Sequence, residues 1–205
     1  MPNHISNIVR LKAFNEDDWK RENEAFEQLQ ALMKTDDSPF DFNVLIPYPE
    51  HFKVLDDRVT ALEKEVGLAA AMSVKDGYNS GGYEWCIANW GTKWNAYDIG
   101  FGYDEIYFCT AWSTPKPIFA ELSKRFPDLQ LEVEYADEDI GNNCGRLMYL
   151  NGELKLSEDM SGRPYSEYFA RAIKAEQGKA HISAELQELK ETLKAKEVSA
   201  TDTPA

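Results

Sequence analysis

The stretch that leaves this chain the fewest choices is residues 88–135, where strand, turn, strand, helix and strand signals follow one another without a gap. Residues 89–101 (NWGTKWNAYDIGF) and 106–112 (IYFCTAW) are rich in β-branched and aromatic residues, with Gly102-Tyr103-Asp104-Glu105 between them. Two such runs around a short glycine-containing linker predict a β-hairpin. Thr114-Pro115 then predicts a helix start, with Thr114 as N-cap and Pro115 in the first helical position, where its missing N–H breaks no bond. Ile118, Leu122 and Phe126 share one face of that helix and Pro127 closes it. Residues 130–135 alternate, with Leu131, Val133 and Tyr135 inward and Gln130, Glu132 and Glu134 outward, as in a half-buried strand.

The flanking segments extend this pattern. Residues 4–13 alternate with Ile5, Val9 and Leu11 on one face and Ser6, Arg10 and Lys12 on the other, a first strand. Asn15 reads as the N-cap of a helix with Glu16, Asp17 and Asp18 in its first turn and Trp19, Phe26, Leu29 and Met33 as its apolar face. Pro47 and Pro49 hold FDFNVLIPYPE in an extended crossing segment. A second helix is expected over 57–74, on Val59, Leu62, Val66 and Ala69, and a flexible loop at GYNSGG, 77–82. Residues 38–82 therefore read as an insertion. Further on, RLMYL and ELKL flank Asn151-Gly152, the strongest short signal for a two-residue hairpin turn. Arg163-Pro164 restarts helix, with Tyr168, Phe169 and Ile173 as its packing face and an interruption expected at Gly178. Ile182, Leu186, Leu189 and Leu193 then step at heptad spacing for about two heptads, a candidate homo-oligomer seam.

Without the insertion, the order is strand, helix, strand, strand, helix, strand and an added hairpin. That is an α+β, ferredoxin-like antiparallel sheet with helices on one face. The expected organisation is a ferredoxin-like domain over 1–156, a C-terminal helical extension over 157–197 and a disordered tail over 198–205.

Composition narrows function chiefly by exclusion. With 36 acidic against 22 basic residues the formal net charge is −14, a field that disfavours direct nucleic-acid binding and favours a partner with a basic surface. Three dispersed cysteines without a Cys-x-x-Cys fit a reducing compartment, and no signal-peptide pattern or apolar run near the ~18 residues of a membrane span is present. The expectation is a soluble, cytoplasmic protein. No nucleophile elbow, P-loop, zinc-protease or dinucleotide motif occurs, and His4, His51 and His181 are scattered. No catalytic residue, metal site or cofactor is expected.

Two clusters remain as candidates. Tyr83, Trp85, Trp90, Lys93, Trp94 and Asn95 could form an aromatic, locally positive platform for a base or another planar group, with 77–82 as a lid. The plainer reading is that these rings fill the space between insertion and sheet. Glu132, Glu134, Asp137, Glu138 and Asp139 could form an acidic face for a basic partner; the plainer reading is a solvated surface. A third possibility, an RNA-binding sheet stacking bases on Tyr97 and Tyr107, is opposed by Asp98, Asp104 and Glu105 beside them.

The segments PNHISNIVRL, FDFNVLIPYPE, YEWCIANWGTKWNAYD and FPDLQLEVEYADED together resemble the YubB / Api92-like family, over roughly 2–156 and most specifically in NWGTKWNA. The resemblance implies a ferredoxin-like sheet and an origin on a bacterial plasmid, prophage or phage. It carries no reaction and no assigned site residues. The expected function is an acidic interaction protein that binds a host protein, of a nucleic-acid-handling or defence kind, without turnover. The alternative is a small-molecule or nucleotide-binding module built on the 85–95 aromatic cluster.

Overall fold

The computed structural model describes residues 3–15 and 18–179. In chain order the elements are β1 (His4–Lys12), α1 (Trp19–Met33), α2 (Glu50–Val66), α3 (Leu68–Ala71), α4 (Gly82–Asn89), β2 (Tyr97–Phe101), β3 (Glu105–Ala111), α5 (Lys116–Arg125), β4 (Gln130–Asp137), β5 (Cys144–Leu150) and β6 (Glu153–Asp159). A last helix, α6, spans 166–179. The strands form one antiparallel sheet in the order β2-β3-β1-β4-β5-β6. Its first four members have the ferredoxin-like arrangement, and the β5–β6 hairpin extends it beyond β4. The hairpin turn is made by Asn151 (φ 48°) and Gly152 (φ 84°), the two left-handed residues that the Asn-Gly pair supplies at little cost.

The alternation of β1 sorts its side chains between two cores. Ile5, Val9 and Leu11 enter the larger one with Phe26, Leu29 and Met33 of α1 and Ile118, Phe119 and Leu122 of α5. Ile8 faces the other way, where Tyr107, Ala136 and Cys144 meet Phe169, Ala170 and Ile173 of α6. Helices therefore cover both faces of the sheet, not one. The second face invites this because Ile8, Tyr107 and Ala136 make its middle apolar, and Phe169, Ala170 and Ile173 recur on one stripe of α6. Tyr168, expected in that stripe, is 76% exposed, and α6 runs through Gly178. Ile182, Leu186, Leu189 and Leu193 lie outside the described residues.

Several boundaries differ from the sequence pattern for identifiable reasons. α1 begins at Trp19, whose ring is 65% exposed and outside the core. Pro49 serves as N-cap of α2, so helix starts before residue 57, and Gly67 separates it from α3. The 77–82 stretch is not an open loop: Tyr78–Ser80 is a 3-10 turn and a Cβ at Gly77 would lie 2.0 Å from the Phe52 carbonyl oxygen. β2 begins only at Tyr97, because 82–89 form α4 and 90–96 form a loop. Thr114 does not cap α5; its hydroxyl donates to Asn7 Oδ1 (2.6 Å) inside the sheet, and Pro115 holds the cap position.

Candidate functional site

The aromatic cluster anticipated over 83–95 is divided by the fold. Trp90 is 4% exposed; its indole N–H donates to the Ile46 carbonyl (2.8 Å) and its ring meets Phe42, Tyr48 and Trp85. Asn95 is equally structural. Its Oδ1 accepts from the backbone N–H groups of Phe42 and Ala96, and its Nδ2 donates to Asp41 Oδ1 (2.7 Å). These residues, with half-buried Trp85, bind the inserted segment to the sheet. Cys86 lies among them, and burial, then the charge of Asp56, pushes its thiol up to about 11. Burial and the nearby Asp56 carboxylate likewise raise the Tyr48 phenol, whose Oη is the one buried side-chain polar atom without a hydrogen-bond partner among the described residues.

Tyr83, Lys93 and Trp94 instead reach the surface, at the end of the sheet where β1, β2 and β5 begin and β3 and β4 finish. The loop that carries Lys93 is fastened there. Thr92 Oγ1 donates to the Ala111 carbonyl and accepts from the Ala111 N–H, and Ser113 Oγ donates to the Gly91 carbonyl (2.6 Å). Gly91 takes φ +76°, and a Cβ on it would fall 2.7 Å from Pro117 Cδ. The Lys93 ammonium then sits 4.5 Å from the centroid of Trp112, 4.9 Å from Trp94 and 5.8 Å from Tyr83. Such distances are those of cation–π attraction. Among the described residues no carboxylate lies within 4 Å of that nitrogen.

Trp112 is the residue that sequence reasoning missed. Its ring is 46% exposed and its backbone has φ +69°, a conformation that is strained for a bulky side chain. Two bonds hold it: its N–H donates to the Asn3 carbonyl (2.9 Å), and its carbonyl accepts from Asn143 Nδ2 (3.2 Å). Asn143 has a positive φ of its own, 41°. A Trp closing a strand carries no sequence signal of strain, so only the Trp-Ser-Thr-Pro junction could have drawn attention to it.

The acidic cluster is divided as well. Asp137 is 4% exposed and accepts from Asn3 Nδ2, Asn143 Nδ2 and the Asp139 N–H. It organises the same loop ends that pin Trp112. Glu138 and Asp139 are exposed beside it. Glu134 lies away on the second face, where it accepts from Arg10 (3.0 Å) and Arg146 (2.9 Å). Arg10 also binds Glu105 and Glu176 of α6, so these charges fasten the helix to the sheet. Glu132 is half-buried opposite Arg10 in the strand register. Tyr107 is 3% exposed beneath α6 and has no face free for a base. Tyr97 is half-buried, its Oη 2.6 Å from His4 Nδ1 and 3.3 Å from the Thr110 carbonyl, with the phenol raised by burial first and then by Cys109 and Asp98.

The fold thus brings one half of each sequence cluster to the same rim: Tyr83, Lys93 and Trp94 with Asp137, Glu138 and Asp139, joined through Trp112 and Asn143. The three cysteines are buried and unpaired, and among the described residues no three His, Cys, Asp or Glu side chains are placed to hold a metal ion. No helix among them is long and apolar enough to cross a membrane.

Residues 89–171 match the family model for the ferredoxin-like domain in Api92-like protein. Over these residues the chain is similar to the ferredoxin-like domain of Api92-like proteins. No curated protein and no solved structure matches the chain. The match to the Api92-like domain runs from the end of α4 into α6, past the expected limit at 156, and leaves out β1 and α1. Yet β1 is the strand that separates β3 from β4. The matched region therefore closes its sheet with a strand from outside the matched residues. Its rim draws Tyr83, Asn3 and His4 from outside them too.

Proposed function

We propose that this chain acts by binding, without turnover, and that its docking surface is the rim where exposed Trp112 and half-buried Tyr83 and Trp94 meet Glu138 and Asp139. The observation that carries the reading is Trp112: a large ring, nearly half exposed, held in a strained backbone by two hydrogen bonds. Backbone strain persists where the surroundings impose it, and it clusters at functional positions. Exposed Trp and Tyr are the side chains that most often anchor protein interfaces. Acidic residues beside them, on a chain of net charge −14, select a partner with a basic surface and accelerate the encounter. A host protein of the nucleic-acid-handling or defence kind fits that description, given the mobile-element setting of the Api92-like family, and a cytoplasmic encounter fits three reduced cysteines. The test is recovery of a partner from host lysate by the tagged full chain at low and high salt, in parallel with Trp112→Ala. A partner lost with the indole and weakened by salt is expected. Equal recovery by both proteins would remove this surface from consideration.

A second reading, a nucleotide-binding module on the same rings, is favoured by one observation: among the described residues Lys93 has no carboxylate within 4 Å, and it lies over the half-buried Trp94 and the exposed Trp112, where a phosphate and a base could both be met. Shifts of the Trp94 and Trp112 indole N–H resonances on addition of AMP would support it, and unmoved resonances would end it.

A further inference from the structure

We infer that Tyr83, Trp94 and Trp112 form a receptor for a partner's guanidinium or alkylammonium group, and that Lys93 is its built-in occupant, displaced on binding. This rests on the reading of the rim as a protein-docking surface and names the contact made there.

Acidic residues outnumber basic ones, 36 to 22, so a surface ammonium has carboxylates to choose from. Among the described residues nine other lysines and arginines pair with one, Arg10 and Lys12 with more than one each, and as many do not. Lys93 instead points into three π-faces, with its own backbone carbonyl held by the Tyr78 hydroxyl (3.2 Å). The rings are fixed independently of the lysine. Tyr83 stands edge-on to both Tyr78 and Trp112, Trp94 leans on Tyr97, and Trp112 is held by its backbone bonds. A preformed set of ring faces that already holds a cation is complementary to another cation of the same kind. Glu138 and Asp139 on the same rim supply the long-range attraction, while the rings supply the contact.

The tethered lysine must then lower the apparent affinity for an incoming cation. A cation–π contact at an exposed site is worth about 0.5–1 kcal/mol, and removing the competitor converts to a gain of about two- to fivefold. The probes are Nα-acetyl-arginine amide and Nα-acetyl-lysine amide, titrated into the full-length protein at constant ionic strength and followed by the indole N–H resonances of Trp94 and Trp112. In Lys93→Met, which keeps the length and apolar stem, both probes should bind about two- to fivefold more tightly than to wild type. In the Lys93→Met/Trp112→Ala double variant the gain should vanish, with dispersed amide resonances showing that the fold is intact. Unchanged or weaker cation binding in Lys93→Met overturns the proposal, as does binding of AMP, but not of the cations, that is lost with Lys93. If the partner from lysate is lost in Trp112→Ala yet the cations never shift the indoles, the docking surface stands and the cation receptor falls.

Discussion

Two halves of one aromatic segment, residues 83–95, meet opposite fates. Trp90 is buried and Asn95 half-buried between the insertion and the sheet, each side-chain polar atom matched to a backbone or carboxylate partner. Lys93 and Trp94, lying between them in sequence, turn outward and meet Trp112. Composition is the same on both sides of the divide, so composition does not separate core from surface here. What separates them is the loop path set by Gly91, with φ +76°, and by Thr92, which is bonded to Ala111. The buried half holds the insertion in place so that the outer half can be presented at the rim.

The largest effect should come from the buried half. Trp90→Ala removes a ring packed on Phe42, Tyr48 and Trp85 and leaves the Ile46 carbonyl without its donor. A loss of about 3–5 kcal/mol in unfolding free energy is expected, read from urea midpoints. Asn95→Ala should follow at about 1–3 kcal/mol, because the Phe42 and Ala96 N–H groups lose their acceptor in a part-buried site, while Asp41 Oδ1 keeps its two donors from Asn43. If either variant were as stable as wild type while Trp112→Ala unfolded, the assignment of the two halves would be reversed.

Alkaline pH distinguishes the halves by another route. Burial pushes the Cys86 thiol up to about 11, against an ordinary value near 9. Below the ordinary value the folded and unfolded thiols are both protonated and stability does not change. Between that value and about 11 the unfolded chain releases its proton first, so stability falls as pH rises. Tyr149, raised to about 12 by burial, then by Tyr135, continues the decline. Urea midpoints at pH 8 and pH 10.5 should therefore separate, and Cys86→Ala should reduce the separation. An undiminished separation in that variant would place the responsible group elsewhere.

The architecture was legible because its signals are local. The period-two alternation of residues 4–12 and 130–135, and the turn chemistry of Asn151-Gly152, each specify an element without help from the rest of the chain. Elements decided by tertiary packing were less readable. GYEWCIAN has the aromatic content of a strand, but burying Cys86 in the core with Trp85 packed against it calls for a helix that ends at Asn89. The second covering helix was read as a helix but not placed, because its apolar stripe does not state which surface it meets. The candidate rim was half legible. Tyr83, Lys93, Trp94, Glu138 and Asp139 stand out as unusual residues, whereas Trp112 owes its role to a left-handed backbone conformation and to bonds from Asn3 and Asn143, more than 30 residues away on one side and 100 on the other.

The smallest expected effect is the one that bears most directly on function. At φ +69° any side chain with a Cβ is strained, and glycine is not. Trp112→Gly and Trp112→Ala both delete a ring that is 46% exposed, so they lose similar packing and differ mainly in backbone cost. The glycine variant should be the more stable of the two by about 1 kcal/mol, since left-handed conformation costs a residue with a Cβ roughly 1–2 kcal/mol. Thermal midpoints measured side by side would show it. Both variants should fail equally to recover a partner from lysate, because recognition resides in the ring and not in the backbone. A glycine variant less stable than the alanine one would mean that the backbone is not strained. Trp112 would then be held by ordinary packing, and the strongest reason for placing function at this rim would be gone.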